Sequence, residues 1–233
     1  MEKKILFIDK NIKRVGDWVD QHIDKTKNLK NDVPPFSTVE ISINGACNRR
    51  CVFCPRVNKS EYPNILNNLD MGAFKRLIKD LVSINYDGRI AFSAFCEPLL
   101  TKNLHEYIYI IKTNLPKSIV EIVSNGDVLV KKTGPKMLAN LFGAGLDLIR
   151  VSLYDGPHQI KIMEDIRIEN KLTEDQFMIR ERYLGSDESH GITISNRAGS
   201  VDYKTENFEL KSLTEPLKQP CHYPFFKILI DHD

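Results

Sequence analysis

From Thr38 onward the sequence alternates short runs rich in β-branched residues with amphipathic stretches, and this alternation restricts the fold more than any other feature. Strands are predicted over residues 38–44, 89–93, 118–124, 147–153 and 175–183, and helices over residues 71–81, 104–111 and 136–142. Successive β–α units of this length give parallel strands whose faces need a covering of helices. The pattern therefore predicts an α/β fold built as a barrel or partial barrel.

The two ends of the chain depart from this pattern. Residues 1–36 carry a charged stretch, and the pair Pro34-Pro35 would break any helix there. At the other end, residues 225–230 are strand-like, yet the chain stops three residues later without a turn or a partner strand. Because an unpaired apolar strand at a terminus favours aggregation, we expect the sequence to be a fragment of a longer protein. We assign an N-terminal segment (1–36), a core domain (37–210) and a C-terminal region (211–233).

Composition excludes several classes of protein. Hydrophobic residues make up 42% and charged residues 27% of the 233 residues, a balance that supports a folded core and argues against wholesale disorder. Lys and Arg total 33 against 31 Asp and Glu, and a formal charge of +2 gives no reason to expect a nucleic-acid partner. No apolar run approaches the roughly 20 residues that cross a bilayer. With five cysteines and no signal-peptide pattern, we expect a cytoplasmic protein without a membrane partner.

Three cysteines, Cys47, Cys51 and Cys54, lie within eight residues directly after the first predicted strand. This is the carboxyl end of the strand, where α/β folds place their functional sites. Zinc normally takes a fourth protein ligand, and the candidates His22 and Cys96 are distant in sequence. A three-cysteine set with one open position suits a [4Fe–4S] cluster whose fourth iron binds an exogenous group. A zinc site with a remote ligand, or buried cysteines that bind nothing, remain as alternatives.

The spacing C-x3-C-x2-C, with Phe53 before the last cysteine, resembles the signature of the radical S-adenosylmethionine (radical SAM) family. The resemblance covers roughly residues 37–200 and implies an incomplete (βα)6 TIM-like barrel. It implies that Cys47, Cys51 and Cys54 ligate a [4Fe–4S] cluster and that S-adenosylmethionine chelates the fourth iron. In that family, reductive cleavage of S-adenosylmethionine gives methionine and a 5′-deoxyadenosyl radical, which abstracts hydrogen from the substrate. An electron donor such as flavodoxin or ferredoxin is implied as a partner.

Motifs at the ends of later strands extend the resemblance. Glu97, followed by proline, matches the family's Gly-Gly-Glu-Pro segment, which holds the methionine ammonium group. Ser124 and Asn125 match a Ser/Thr-Asn-Gly turn that reaches the cofactor, and Ser152 matches the serine after the next strand. The resemblance thus implies cofactor contacts by these four residues and by Phe53. Alternatively, Glu97 is an ordinary surface carboxylate, and the serine and asparagine positions belong to plain turns.

Two positions depart from the family's pattern. Ala94 and Cys96 stand where the family often has glycine. A Cβ atom at either position would narrow the approach of the backbone to a bound ligand. The contact geometry of this segment is therefore expected to differ from that of the family.

Several arginines near the predicted site allow two interpretations. Period-2 alternation places Arg180 and Arg182 on one face of the fifth strand, where they need an anion if they point inward and nothing if they point outward. An inward Arg182 suits the carboxylate of S-adenosylmethionine. Arg49, Arg50 and Arg56 crowd the cysteine loop, either as cations that ease reduction of the cluster or as a solvated basic loop.

The C-terminal residues resemble the start of a SPASM-type auxiliary domain. Cys221 precedes a strand-like run, but the later cysteines of such a domain are absent. We therefore identify a SPASM-type subgroup with a truncated auxiliary domain, with a free structural cysteine as the alternative. This subgroup implies a peptide- or sugar-type substrate. A function of another class, a zinc-stabilised interaction or nucleic-acid-binding module, would use the same cysteines, although the near-neutral charge argues against nucleic acid.

Overall fold

The strands and helices follow one another in regular alternation. The computed structural model describes residues 36–51, 53–57, 59–60, 62–183 and 227–233. The strands are β1 (Thr38–Ile41), β2 (Arg89–Phe92), β3 (Ile119–Ser124), β4 (Leu148–Leu153), β5 (Phe177–Glu181) and β6 (Lys227–Ile230). The helices are α1 (Met71–Ser83), α2 (Leu104–Asn114), α3 (Gly134–Gly143) and α4 (His158–Glu169). None of the helices in the described ranges is long and apolar enough to cross a membrane.

All strand pairs in this sheet are parallel, and the sheet is open. The strand order is β5-β4-β3-β2-β1-β6, so β5 and β6 form its two edges. Within the described residues these edges do not pair with each other, and the barrel is therefore incomplete. The predicted α/β class and the TIM-like partial barrel are confirmed. The division at residue 210 lies outside the described residues and stays a prediction.

Alternation along the strands separates an apolar face from a polar one. Residues such as Ile41, Phe92 and Ile122 are fully buried on the face that packs against the helices. Helix α1 adds Phe74 and Ile78, whose spacing of four places them on one side of the helix. The sheet is therefore held to its helices by a continuous apolar layer.

The opposite face of the sheet, which lines the interior of the partial barrel, carries charged groups. Glu121 on β3 is almost fully buried and binds Arg89 at 2.8 Å and Arg150 at 2.5 Å. On the other side, Lys227 binds Glu40 at 2.5 Å. Burying charges is tolerated only when they are paired, and these pairs supply that compensation. The interior of the barrel is thus polar and suited to a polar ligand.

The structure contradicts one expectation from the sequence and adds one helix. Residues 227–230 are not an unpaired strand, because β6 pairs in parallel with β1 and aligns Lys227 with Thr38. The partner is far away in sequence, so no local pattern could reveal it. Helix α4 was not predicted, since its apolar residues do not share one face: Ile168 is exposed while Met163 is buried. Residues 1–35 and Cys221 lie outside the described residues.

Replacing Ile122 by alanine tests the apolar layer. Ile122 lies fully buried on β3, near the middle of the sheet, so Ile122→Ala should lower the free energy of unfolding by about 2–5 kcal/mol. The matched control is Ile168→Ala on the exposed side of α4, which should change it by less than about 0.5 kcal/mol. Urea unfolding followed by circular dichroism measures both, and equal losses would contradict this packing.

Candidate active site

The loops that follow β1, β2, β3 and β4 meet at the carboxyl edge of the sheet and enclose a cavity of about 420 Å³. That volume falls within the range of small-molecule sites. The cavity lies where parallel α/β sheets place their ligands. Of the predicted site residues, those that line it are Cys47, Cys51, Phe53, Cys54, Glu97, Ser124, Asn125 and Arg182. Ser152 is buried beneath the wall and does not line the cavity.

The cysteine loop turns tightly, and its thiols influence one another. The backbone N–H of Cys54 donates to the carbonyl of Cys51 at 2.9 Å, and this turn directs the loop around the cavity. Burial, together with the charge of the neighbouring Cys54 and Cys47, raises the pKa of Cys51 to about 12. Burial also raises the pKa of Cys47. Without a bound cation these thiols are protonated, and a metal centre would bind them as thiolates.

The number of thiol donors distinguishes between metal centres. Cys47, Cys51 and Cys54 of one loop line the same cavity. A structural zinc site normally has four protein ligands, whereas a [4Fe–4S] cluster held by three thiolates keeps one iron open for an exogenous group. The donor set of this loop therefore fits a [4Fe–4S] cluster better than a single zinc ion.

Cys96 does not complete a zinc site in this arrangement. Its thiol lines the same cavity, but Sγ donates to the carbonyl of Ser93 at 3.2 Å. Burial raises the pKa of Cys96 to about 12, which favours the neutral thiol. The other distant candidate, His22, lies outside the described residues.

Glu97 is the centre of a buried hydrogen-bond network. Its Oε1 accepts from the Ser124 hydroxyl at 2.8 Å and the Leu99 N–H at 3.0 Å, and its Oε2 accepts from the Asn125 N–H at 2.9 Å. Burial raises the pKa of Glu97 to about 7, while these donors oppose the rise. Because the side chain is buried, the alternative of an ordinary surface carboxylate is wrong. A contact between Glu97 and the methionine ammonium group stays a prediction.

The segment Ser124-Asn125-Gly126 is both a turn and part of the cavity wall. The Asn125 side chain accepts from the Asp127 N–H at 3.0 Å, which closes the turn, and it donates to Asn48 in the cysteine loop at 2.9 Å. Gly126 has φ of 78°, and an added Cβ would lie 2.5 Å from Val151. Glycine is therefore required at position 126 because the backbone has a positive φ and because a side chain would collide with Val151.

An aromatic pair and two arginines form a further part of the cavity wall. The rings of Phe53 and Tyr154 lie 5.5 Å apart, and burial raises the pKa of Tyr154 to about 12. Tyr154 was not singled out from the sequence, although its place after β4 was visible. Arg180 and Arg182 both line the cavity, so the outward interpretation of these arginines is wrong. A contact between Arg182 and a cofactor carboxylate stays a prediction.

Arg49 connects the cysteine loop to two other loops. Its guanidinium binds Asp127 and Asp155, each with Nη2 at 2.6 Å. The basic loop is thus not simply solvated at this position. Neither aspartate was singled out as a site residue from the sequence, because the partner of an arginine in a loop cannot be found from local spacing.

The segment that departs from the family's pattern is strained. Ala94 has φ of 69°, in the left-handed region that favours glycine, and it lines the cavity. Ala94 therefore adopts a backbone conformation that costs glycine nothing but strains an alanine. Its Cβ stands at the cavity wall, as expected from the sequence.

Comparison with known proteins gives one family and a small number of relatives. The family model of the radical SAM superfamily matches residues 41–177. The S-adenosyl-L-methionine-dependent 2-deoxy-scyllo-inosamine dehydrogenase of Niallia circulans is 35% identical over 97 residues, which are 42% of this chain and 38% of that protein. The aligned region thus spans well under half of that curated relative.

Solved structures extend the comparison to the fold. The crystal structure of BtrN in complex with AdoMet and 2-DOIA has a TM-score of 0.64 at 23% identity, covering 84% of this chain and 70% of that chain. This likeness shows a shared fold. Streptococcus suis SuiB bound to precursor peptide SuiA gives a TM-score of 0.41 at 16% identity, over 78% of this chain and 47% of that chain. That score is too low to support an inference.

Replacing Ala94 by glycine tests the strained segment. Left-handed strain of about 1–2 kcal/mol would be released, which outweighs the roughly 0.5–1 kcal/mol that the flexibility of glycine costs. Ala94→Gly should therefore be as stable as the unmodified chain or slightly more stable in urea unfolding. In the control Ala91→Gly, on the extended strand β2, the free energy of unfolding should fall by about 1 kcal/mol. If the free energy of unfolding of Ala94→Gly fell as much as that of the control, Ala94 would not be strained.

Proposed function

The chain belongs to the radical SAM superfamily, whose enzymes use a [4Fe–4S] cluster and S-adenosylmethionine, and on this premise we propose how its cavity binds both. Cys47, Cys51 and Cys54 hold the cluster, and S-adenosylmethionine lies beside it against Glu97, Ser124 and Asn125. The observation that carries this proposal is the convergence of the three thiols and the Glu97 network on one cavity. When bound, the two groups together supply a 5′-deoxyadenosyl radical that abstracts hydrogen from the substrate.

The residues of the chain bind and orient the cofactors. The carboxylate of Glu97 fixes the Ser124 hydroxyl and the Asn125 backbone at the end of β3, so that the turn keeps its position at the cavity wall. Arg182 offers a fork of donors for a carboxylate. Phe53 packs beside the cofactor and, with Tyr154, forms an apolar wall that excludes water. Ser152, buried on β4 two residues before Tyr154, supports this wall from within the sheet.

The substrate that we propose is a sugar-type small molecule that the enzyme oxidises. The aligned curated relative is named as a dehydrogenase of 2-deoxy-scyllo-inosamine, and its kinship supports an oxidoreductase. The charged interior of the barrel, with Glu40, Glu121, Arg150 and Lys227, supports a polar substrate with several hydrogen-bonding groups. A peptide substrate, which the sequence also predicts, has no comparable support among the described residues.

The remaining parts of the proposal concern the C-terminal region and a partner. We retain a core domain over residues 37–210 and a SPASM-like region over 211–233, of which β6 nevertheless joins the sheet of the core beside β1. In this region Cys221 is proposed to bind an auxiliary cluster. An electron donor of the flavodoxin or ferredoxin type delivers the electron to the cluster. The zinc-stabilised module is disfavoured by membership of the superfamily, whose enzymes use a [4Fe–4S] cluster.

Replacing one cluster ligand tests the proposed function. Cys51→Ala should lower the release of 5′-deoxyadenosine by roughly 100-fold or more, because a cluster ligand is lost. The reconstituted proteins are incubated anaerobically with S-adenosylmethionine and dithionite, and the product is measured by chromatography. The control is Cys96→Ala, a cysteine of the same cavity outside the motif, which should retain release. Circular dichroism should show intact secondary structure, and unchanged release by Cys51→Ala would contradict the assignment.

A further inference from the structure

The side chain of Arg49 makes an unusually complete set of contacts for a residue of a loop. It lies between Cys47 and Cys51 in the sequence. Nε and Nη2 donate to the two carboxylate oxygens of Asp127 at 2.7 and 2.6 Å. Nη1 and Nη2 donate to those of Asp155 at 2.7 and 2.6 Å. Both carboxylates are thus bound in the bidentate manner that gives arginine its geometric specificity.

These two carboxylates belong to different loops at the carboxyl edge. Asp127 follows β3 and closes the turn that carries Ser124 and Asn125. Asp155 follows β4 and stands directly after Tyr154. The guanidinium of Arg49 also lies over the ring of Tyr154, 5.7 Å from its centre. One side chain therefore joins the cysteine loop to the loops that follow β3 and β4.

A second connection runs parallel to the first. Asn48, beside Arg49, donates to Asp127 at 2.8 Å and accepts from the Asn125 side chain at 2.9 Å. These bonds tie the cysteine loop to the β3 loop alone. The β4 loop is reached by the hydrogen bonds of Arg49 to Asp155 and by the ring contact of Phe53 with Tyr154, and of these two Arg49 supplies the polar connection. We call the contacts of Arg49 with Asp127 and Asp155 the arginine clamp.

The arm of the clamp to Asp127 is better shielded from water than an ordinary surface ion pair. The Arg49 side chain is only 18% exposed and Asp127 28% exposed, so water screens their attraction incompletely, whereas Asp155 is 50% exposed. The hydrogen bonds that Arg49 donates to Asp155 and Asp127 raise the pKa of Arg49, and the guanidinium lowers the pKa of Asp155. Without the guanidinium, the two carboxylates that share it would repel each other. Loss of the clamp therefore drives the loops apart.

The two aspartates of the clamp also offset the positive charge of Arg49. One guanidinium between two carboxylates leaves a net negative charge on the three groups. The positive field of Arg49 at Cys51 is opposed by that of Asp155. An effect of Arg49 on reduction of the cluster stays a prediction, and the contacts themselves indicate a structural role. The next residue, Arg50, lies in the same loop but is exposed, so it serves as a control for the charge of Arg49.

We propose that Arg49 is a positioning residue that fixes the cysteine loop against the ends of β3 and β4, so that the three thiols are arranged before the cluster binds. This inference rests on the proposed function, because it assumes that the thiols hold a cluster. Groups outside the ligand shell that orient metal ligands typically change affinity about 10–100-fold. The role requires the planar fork of arginine, which lysine cannot reproduce.

The test compares Arg49→Gln, Arg49→Lys and the control Arg50→Gln in the full chain. Each protein is reconstituted anaerobically, and its iron and sulfide contents and its rate of iron loss to an excess of chelator are measured. The thermal midpoint of the metal-free proteins is measured separately. We expect both Arg49 variants to lose iron about tenfold faster than the unmodified chain and to have a lower midpoint without metal. Arg50→Gln should behave as the unmodified chain.

The outcomes separate the clamp from the function on which it rests. If neither the unmodified chain nor Arg50→Gln binds iron and sulfide, the proposed function fails. If they bind both and the two Arg49 variants lose iron at the same rate as the control, the clamp fails alone. If Arg49→Lys matches the unmodified chain while Arg49→Gln does not, charge and not geometry is responsible, and the proposal is overturned.

A milder variant keeps the test decisive if the Arg49 variants do not fold. Asp155→Asn weakens the arm to the β4 loop and the hydrogen bond that Gln159 donates to Asp155 at 3.0 Å, and it leaves the bidentate pair of Arg49 with Asp127. It should fold and lose iron about threefold faster than the unmodified chain, between the control and the Arg49 variants. Iron loss at the rate of the unmodified chain would contradict a clamp that needs both arms.

Discussion

The buried carboxylate of Glu97 joins the ends of three neighbouring strands. Its side chain accepts hydrogen bonds from Ser124 and Asn125 after β3, while its backbone N–H donates to Ala46 after β1 at 2.8 Å. Asn44, also after β1, donates to the Glu97 carbonyl at 3.0 Å. An unsatisfied buried carboxylate would be costly, so these loops cannot separate without exposing or orphaning it. The cavity keeps its shape because this group must remain bonded.

The same edge of the sheet is held a second time by Arg49, nearer the surface. Glu97 joins the loops after β1, β2 and β3, and the arginine clamp adds the loop after β4. Both devices place a charged group among loops of different strands. The apolar layer beneath fixes the strands, and these polar groups fix the loops. A rigid sheet that carries loops tied by specific hydrogen bonds is well suited to hold cofactors in a defined relation.

The sequence revealed the elements better than the contacts between them. Period-2 alternation and helical spacing predicted five of the strands and the helices α1, α2 and α3, because burial of one face imposes those periods. It could not predict the pairing of β6 with β1, which depends on contacts between distant segments. Tyr154, Asp127 and Asp155 were missed for the same reason: their importance arises only when separate loops meet. The cysteine motif needed no such contact to be recognised.

The central claim is that the three cysteines of one loop hold a [4Fe–4S] cluster. Metal and acid-labile sulfide analysis after anaerobic reconstitution tests it most directly. The account predicts iron and sulfide in equal amounts, about four of each per chain. One zinc ion per chain, without iron or sulfide, would contradict it and would make the cysteine loop a structural zinc site.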